Sequence, residues 1–495
     1  MYRNTSEFQD KAENFELPFG GKLSQENRWV KLAELIPWQD FEAEYASNFS
    51  QNMGAPAKPF RMALGALIIK EKLVTSDEET VEQIKENPYL QYFLGLREYS
   101  NEAPFEASMM VHFRKRVNQN LIGRINKKIV VNSREKQTEK QPETKEKDNE
   151  ESEPLPIKNQ GKLIFDATCT PADITYPTDI KLLNQAREDT EKILDRLYEQ
   201  VRDKLPRKPR TYRQKARKNY LTITKQRRPS RKKRRKAIRK QLAYVRRNLA
   251  HIDKLVNQGA KLAQLKSQNY RLLLVVHELF RQQQSMYAAR SCRIDNRIVS
   301  LNQPHIRPIV RGKAGTPVDF GAKLSVSYID GFCFLDHLSW DNFNESQDFQ
   351  LQVELYYQRF GYYPESVHVD RIYRTRANRA FCKQLGIRIS APPLGRPPLN
   401  QDPELIQQQL QDERFRNAIE GKFGQAKRRF CLGRIMAKLS STAESTIAIT
   451  FLVMNLELLL KQILFVFFRK FGIFTSFKQF FLSFWESTRI FLSFA

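Results

Sequence analysis

Residues 163–171 read LIFDATCTP. Leu163, Ile164 and Phe165 form an apolar run suited to a buried strand, and the run ends at an acid, Asp166, followed by small and hydroxyl residues. A carboxylate carried into a core is costly unless it is capped, paired with a cation or bound to a metal. The same pattern returns at 364–370, PESVHVD, where a short strand ends at Asp370.

Between and beyond these stretches the elements follow in a definite order. VDFGAKLSVSYIDGFCFLDHLSW (318–340) alternates apolar and polar residues around Asp330-Gly331, the signal of a two-residue hairpin turn. A helix is expected over 345–361 and another over 376–386, ended by Gly386; IRISAPP (387–393) reads as a strand stopped by prolines. Helices are expected over 404–468. The sequence therefore predicts strand, helical insertion, two antiparallel strands, helix, strand, helix, strand, helices: an α/β domain with a mixed sheet.

The other regions differ in composition. Residues 1–131 are expected to be an all-α, helix-turn-helix-like domain; PFRMALGALIIKEKLV (59–74) has helical periodicity, Ser76-x-x-Glu79 is a capping box, and Pro88 opens a third helix. Residues 132–160 read as a polar linker, since 132–154 hold no aliphatic or aromatic side chain. The domain 161–464 would carry a basic helical insertion over 180–304, and 465–495 is a Phe-rich tail with 11 of the chain's 33 phenylalanines.

Across 495 residues there are 83 Lys+Arg against 55 Asp+Glu, a net charge of +28, which points to a polyanionic partner. The excess peaks inside the insertion: from Lys204 to Ala250 there are 21 basic residues and no acid. Arg231, Lys232, Lys233, Arg234, Arg235 and Lys236 form its densest run and are expected to track a phosphate backbone rather than read bases. Five scattered cysteines without a CxxC pair support neither a zinc ribbon nor a disulfide framework, and fit a reducing, cytoplasmic setting. The apolar stretch 446–468 contains Asn455, Glu457, Lys461 and Gln462, so it reads as a buried or partner-packing helix and not a membrane span.

A third acid, Glu420, lies in RFRNAIEGKFGQAKRRF (414–430). Two strand-borne carboxylates and one from a packed helix supply hard oxygen ligands of the kind that two-metal phosphodiester chemistry uses. At this point the chain resembles bacterial insertion-sequence transposases of the DDE class, of the insertion-sequence five family. LIFDATCTPADITYPTDIKLLNQARE, VDRIYRTRANRAFCKQLGIRISAPPLGRPP and RNAIEGKFGQAKRRFCLGRIMAKL resemble its three acid regions. The family's Tyr-x2-Arg-x3-Glu-x6-Lys signature falls on Arg416, Glu420 and Lys427, while its tyrosine position is Glu413 here.

The resemblance implies a ribonuclease H-like catalytic domain in which Asp166, Asp370 and Glu420 are the catalytic residues and hold two Mg²⁺, with Mn²⁺ a possible substitute. It implies double-stranded DNA as partner, both terminal inverted repeats and target, and a homodimer in the DNA complex. Arg416, Lys427 and Tyr373 would contact the DNA, and Trp340 is open to either a flipped base or sheet-edge packing. Asp173, Asp179, Asp319 and Asp330 are weaker rivals for the acid positions. Two alternatives stay open: a same-fold nuclease without strand transfer, and a non-catalytic basic DNA-binding protein descended from a transposase.

Overall fold

The computed structural model describes residues 2, 11–50, 53–138, 158–310, 318–391 and 403–470. Among these residues seven α-helices come first: α1 (Arg28–Leu35), α2 (Trp38–Ala46), α3 (Phe60–Leu73), α4 (Asp77–Glu86), α5 (Pro88–Phe93), α6 (Met109–Arg116) and α7 (Gln119–Thr138). The Ser76 hydroxyl accepts the Glu79 N–H, so the predicted cap starts α4. Helix α7 runs seven residues into the expected linker; the rest of that linker up to 157 lies outside the described residues, as do 471–495 of the Phe-rich tail.

Strand β1 (Lys162–Pro171) is followed by the insertion: α8 (Asp179–Gln200), α9 (Arg213–Thr224), α10 (Arg231–Asn257) and α11 (Ser267–Ala289). Then come β2 (Arg307–Val310), β3 (Val318–Ile329), β4 (Phe332–Ser339), α12 (Phe349–Phe360), β5 (Ser366–His368), α13 (Arg376–Gln384), β6 (Arg388–Ser390), α14 (Pro403–Arg429) and α15 (Ser440–Lys470). The predicted order of elements is found, with β2 added. In the sheet the strands run β2-β3-β1-β5-β6, and β4 pairs with β3 beside β2. Among the described strands β3 alone is antiparallel to β1; β5 and β6 run parallel to it. Asp330 and Gly331 both have positive φ, 49° and 96°, the backbone of the tight hairpin that Asp-Gly favours.

Strand β1 does not stop at Asp166. The long β3 pairs with it as far as Pro171, which leaves Asp166 in mid-strand opposite Val326. The expectation that small and hydroxyl residues end the strand fails because pairing with β3, a distant segment, sets its length. Close approach of the two strands also fixes Gly321: a Cβ there would sit 2.0 Å from the Thr170 carbonyl oxygen. Gly321→Ala is expected to destabilise the fold by roughly 2–3 kcal/mol through overpacking, read as a lowered urea midpoint.

The core does not divide at the linker. One apolar cluster joins Phe60, Leu64 and Ile68 of α3, Ile125 and Ile129 of α7, Phe165 of β1 and Phe451 and Leu452 of α15. Asn455 on α15 donates to the carbonyl of Cys333 (2.8 Å) and to Asn126 on α7 (2.8 Å), and accepts the Cys333 N–H (2.8 Å). These bonds satisfy buried amides that would otherwise be costly. Helix α15 is long and apolar enough over Ser440–Ile463 to cross a membrane, but most of that window is buried inside the protein. The insertion has its own cluster, with Leu183 and Leu194 of α8, Val245 of α10 and Val276 of α11 at its centre.

Candidate active site

Alternation along β1 sorts its side chains. Phe165 faces α12 and the turn Arg371–Tyr373, in edge contact with Phe349 (5.3 Å between centroids) and Tyr373 (5.2 Å). Thr168 and Thr170 point the other way, toward α14 and the turn Cys431–Gly433, and Asp166 shares their parity. Pairing between β1 and β5 ends at Ile164 opposite His368. Asp166 therefore lies just past the point where two adjacent parallel strands part, and Asp370, two residues beyond β5, lies on the other side of that point. Asp370 is exposed, and its Oδ1 accepts the Arg371 N–H at 2.8 Å, capping a 3-10 turn.

Asp166 Oδ1 accepts the N–H of Ala167 at 2.8 Å. Burial pushes its carboxyl up to about 7; that N–H and the charge of Arg416 oppose the shift, while Glu345 and Asp370 add to it. A half-buried carboxyl facing like charges is the environment that a divalent cation relieves. The donor set thus fits a hard cation at Asp166 and Asp370.

Helix α14 lies across β1 and β5. Asp412 anchors its upstream half through a two-point bond to Arg388 on β6 (2.6 and 3.1 Å). Burial alone would raise the Asp412 carboxyl, but Arg388 and Ser390 hold it below its ordinary value. Two turns on, Glu420 is exposed, with Arg416 Nη1 3.5 Å away. One further step of two turns brings Lys427, whose Nζ donates to Thr168 Oγ1 at 2.9 Å, two residues along β1 from Asp166. Among the described residues no group of three ligating side chains closes around one point. The fold lines up Asp166 and Asp370; Glu420 points to solvent beside Arg416 rather than joining them.

Several expected contacts change. Tyr373 is fully buried beneath β1, and its hydroxyl has no partner among the described residues, so the ring is unable to stack on DNA. Burial raises that phenol well above its ordinary value, and Asp166, Glu345, Asp348 and Asp370 reinforce the effect. Arg235 is turned inward: it donates to the Tyr287 carbonyl (3.0 Å) and lies 4.0 Å over the Tyr287 ring. Arg231, Lys232, Lys233, Arg234 and Lys236 are exposed at the start of α10. Trp340 packs at the sheet edge, its Nε1 donating to Glu444 at 2.8 Å and its ring 4.4 Å from that of His305.

The rival acids have structural partners: Asp173 binds Arg434, Asp179 binds Arg297 and Gln283, and Asp330 binds Arg134. Two further acids near the site escape sequence reasoning. Glu345 pairs with Lys323 at 2.8 Å, and Asp348 accepts from Ser325 (2.5 Å) and lies 2.8 Å from His337 Nδ1. Their signal is the acid-bearing segment that follows β4, DNFNESQD (341–348).

Comparison with known proteins bears on this arrangement. The family described as Transposase DDE domain matches residues 367–457, a span that holds Asp370, Arg416, Glu420 and Lys427. The family described as Transposase domain (DUF772) matches residues 18–116, α1 through α6. An uncharacterized protein, ORF8 in the nfe locus of Rhizobium meliloti, is 33% identical over 157 residues, which is 32% of this chain and 68% of that protein. No solved structure matches the chain. With a transposase domain at the start and a DDE domain at the end, around a sheet that lines up two aspartates, the protein belongs to the insertion-sequence transposases.

Proposed function

We propose that this transposase binds terminal inverted repeats, cleaves the element ends and joins them to target DNA by Mg²⁺-dependent transesterification. The observation that carries the reading is the placement of Asp166 and Asp370 on either side of the point where β1 and β5 part, with α14 laid over it. The strand order, with β3 alone reversed, supports a ribonuclease H-like core, and the spacing of Arg416, Glu420 and Lys427 supports an affinity to the insertion-sequence five family. Asp166 and Asp370 would hold the cations, with Glu420 joining once it leaves Arg416. Ions held there would activate a water, and then the 3′-hydroxyl that cleavage leaves on the DNA, as nucleophiles, and would offset charge on the leaving oxygen.

The chain's own residues orient the DNA. Lys427, fixed against β1, and Arg416, on the same flank of α14, meet the phosphates nearest the acids. The exposed cations of α10 track the backbone farther away, and helices in 1–131 take the terminal repeats. Pairing two ends requires two copies, so the active form is a homodimer on DNA, working in the cytoplasm.

Asp370→Asn and Glu420→Gln are each expected to lower Mg²⁺-dependent cleavage of terminal-repeat DNA roughly a thousandfold, several kcal/mol of lost transition-state stabilisation, with DNA affinity within about twofold. Unchanged cleavage in both variants would refute the assignment. Precleaved ends give the second measurement: cleavage without any joined product would make the protein a nuclease.

A further inference from the structure

Glu71 lies on α3, inside the N-terminal transposase domain, yet the hydrogen bonds to its carboxyl come from the other end of the chain. It is 2% exposed and accepts the Cys431 N–H at 3.0 Å and the Thr450 hydroxyl at 2.6 Å. The adjacent Lys72 lies 2.8 Å from Glu457, which also binds Arg429 at the end of α14 (2.8 Å). What Glu71 grips is the turn Cys431–Gly433, and that turn is stitched to β1. Thr170 Oγ1 donates to the Leu432 carbonyl (2.6 Å), and the Ile435 N–H donates to the Pro171 carbonyl (2.9 Å). The turn also folds back onto α14 itself: a Cβ on Gly433 would meet the Lys427 carbonyl oxygen at 2.5 Å. The last turn of α14 is therefore held between β1 on one side and α3 on the other.

We propose that Glu71 is a positioning residue for the active site: through the Cys431–Gly433 turn it seats Lys427 against β1, and so couples the N-terminal domain to the catalytic helix. The proposal deepens the transposase reading and rests on it for its catalytic readout alone. By mass action the coupling is reciprocal, so DNA held by the N-terminal helices that shifts α3 also shifts Lys427. Burial raises the Glu71 carboxyl above its ordinary value, and a glutamine carbonyl accepts the same two bonds.

The test compares the full chain with Glu71→Leu and Glu71→Gln. The expected result for leucine is faster amide hydrogen exchange at 431–435, by about tenfold, without a matching rise in α8 or α11. Cleavage at saturating terminal-repeat DNA should fall about tenfold, with KM for DNA within about twofold. Glutamine should restore both to within about threefold. Unaltered exchange at 431–435 in the leucine variant would overturn the proposal, as would equal losses in the two variants or exchange rising evenly along the chain. Exchange is read without cleavage, so a wild-type protein that cuts no DNA would sink the transposase mechanism while the coupling is still decided.

Discussion

Replacing Asp166 with asparagine is expected to leave the protein inactive and more stable. The loss of activity follows from removing the carboxylate that β1 fixes opposite Asp370, and should reach roughly a thousandfold or more. The gain in stability follows from the pKa. In the unfolded chain the carboxyl ionises near 3.8, whereas burial and neighbouring acids carry it to about 7 in the fold. Folding therefore takes up a proton between those values. The folded state loses stability as pH rises from about 4 to about 7, and above 7 the whole cost is present. At about 1.4 kcal/mol per pH unit the ceiling is roughly 4 kcal/mol. Asparagine keeps an oxygen for the Ala167 N–H and carries no charge, so it escapes that cost. Urea midpoints of wild type and variant should coincide near pH 4 and separate at pH 8, with the variant higher. Mg²⁺ should raise the wild-type midpoint at pH 8 and leave that of the variant unmoved. A variant less stable than wild type at pH 8 would contradict the account.

What is legible in the sequence is local chemistry. The Ser76 cap, the Asp330-Gly331 turn, the stop at Gly386 and the order of strands and helices all depend on residues a few positions apart. The features that mislead depend on distant partners. Asp166 reads as ending a strand because β3, 150 residues later, is what extends it. Tyr373 follows an exposed Asp370 by three residues, and only its complete burial against Phe165 reveals that it is a core residue. Arg235 stands in a run of six cations, and only Tyr287, on another helix, singles it out. The same applies to the N-terminal helices. Their amphipathic faces are visible in the sequence, but the cover that α15 gives them is not, because nothing near residue 60 encodes a partner near residue 450. Glu345 and Asp348 are plain in the sequence as acids, and the bearing of Glu345 on Asp166, and of both on Tyr373, comes only with the fold.

The start of α10 poses a conflict that bound DNA would resolve. Ser230 caps the helix, and Arg231, Lys232 and Lys233 then fill its first turn, where the helix dipole favours acids. Cations there weaken the helix by about 0.3–1 kcal/mol each at low ionic strength. Of the five exposed cations Arg231, Lys232, Lys233, Arg234 and Lys236, the first three thus sit where folding disfavours them, and all five lie open to a phosphate backbone. Replacing all five with glutamine is expected to stabilise the insertion slightly and to weaken DNA binding by roughly a thousandfold at 0.1 M salt. Each phosphate that no longer meets a cation should reduce the slope of log K against log salt by about 0.9, so up to about 4.5 in all. The weakening should be nearly equal for terminal-repeat and unrelated DNA, because cations on the backbone carry no sequence information. Arg235→Gln is the internal control: it removes the bond to the Tyr287 carbonyl and should lower thermal stability while leaving the salt slope unchanged. A quintuple variant that keeps the wild-type salt slope would show that the DNA passes elsewhere. A variant that loses affinity for the terminal repeat alone would show that α10 reads bases rather than phosphates.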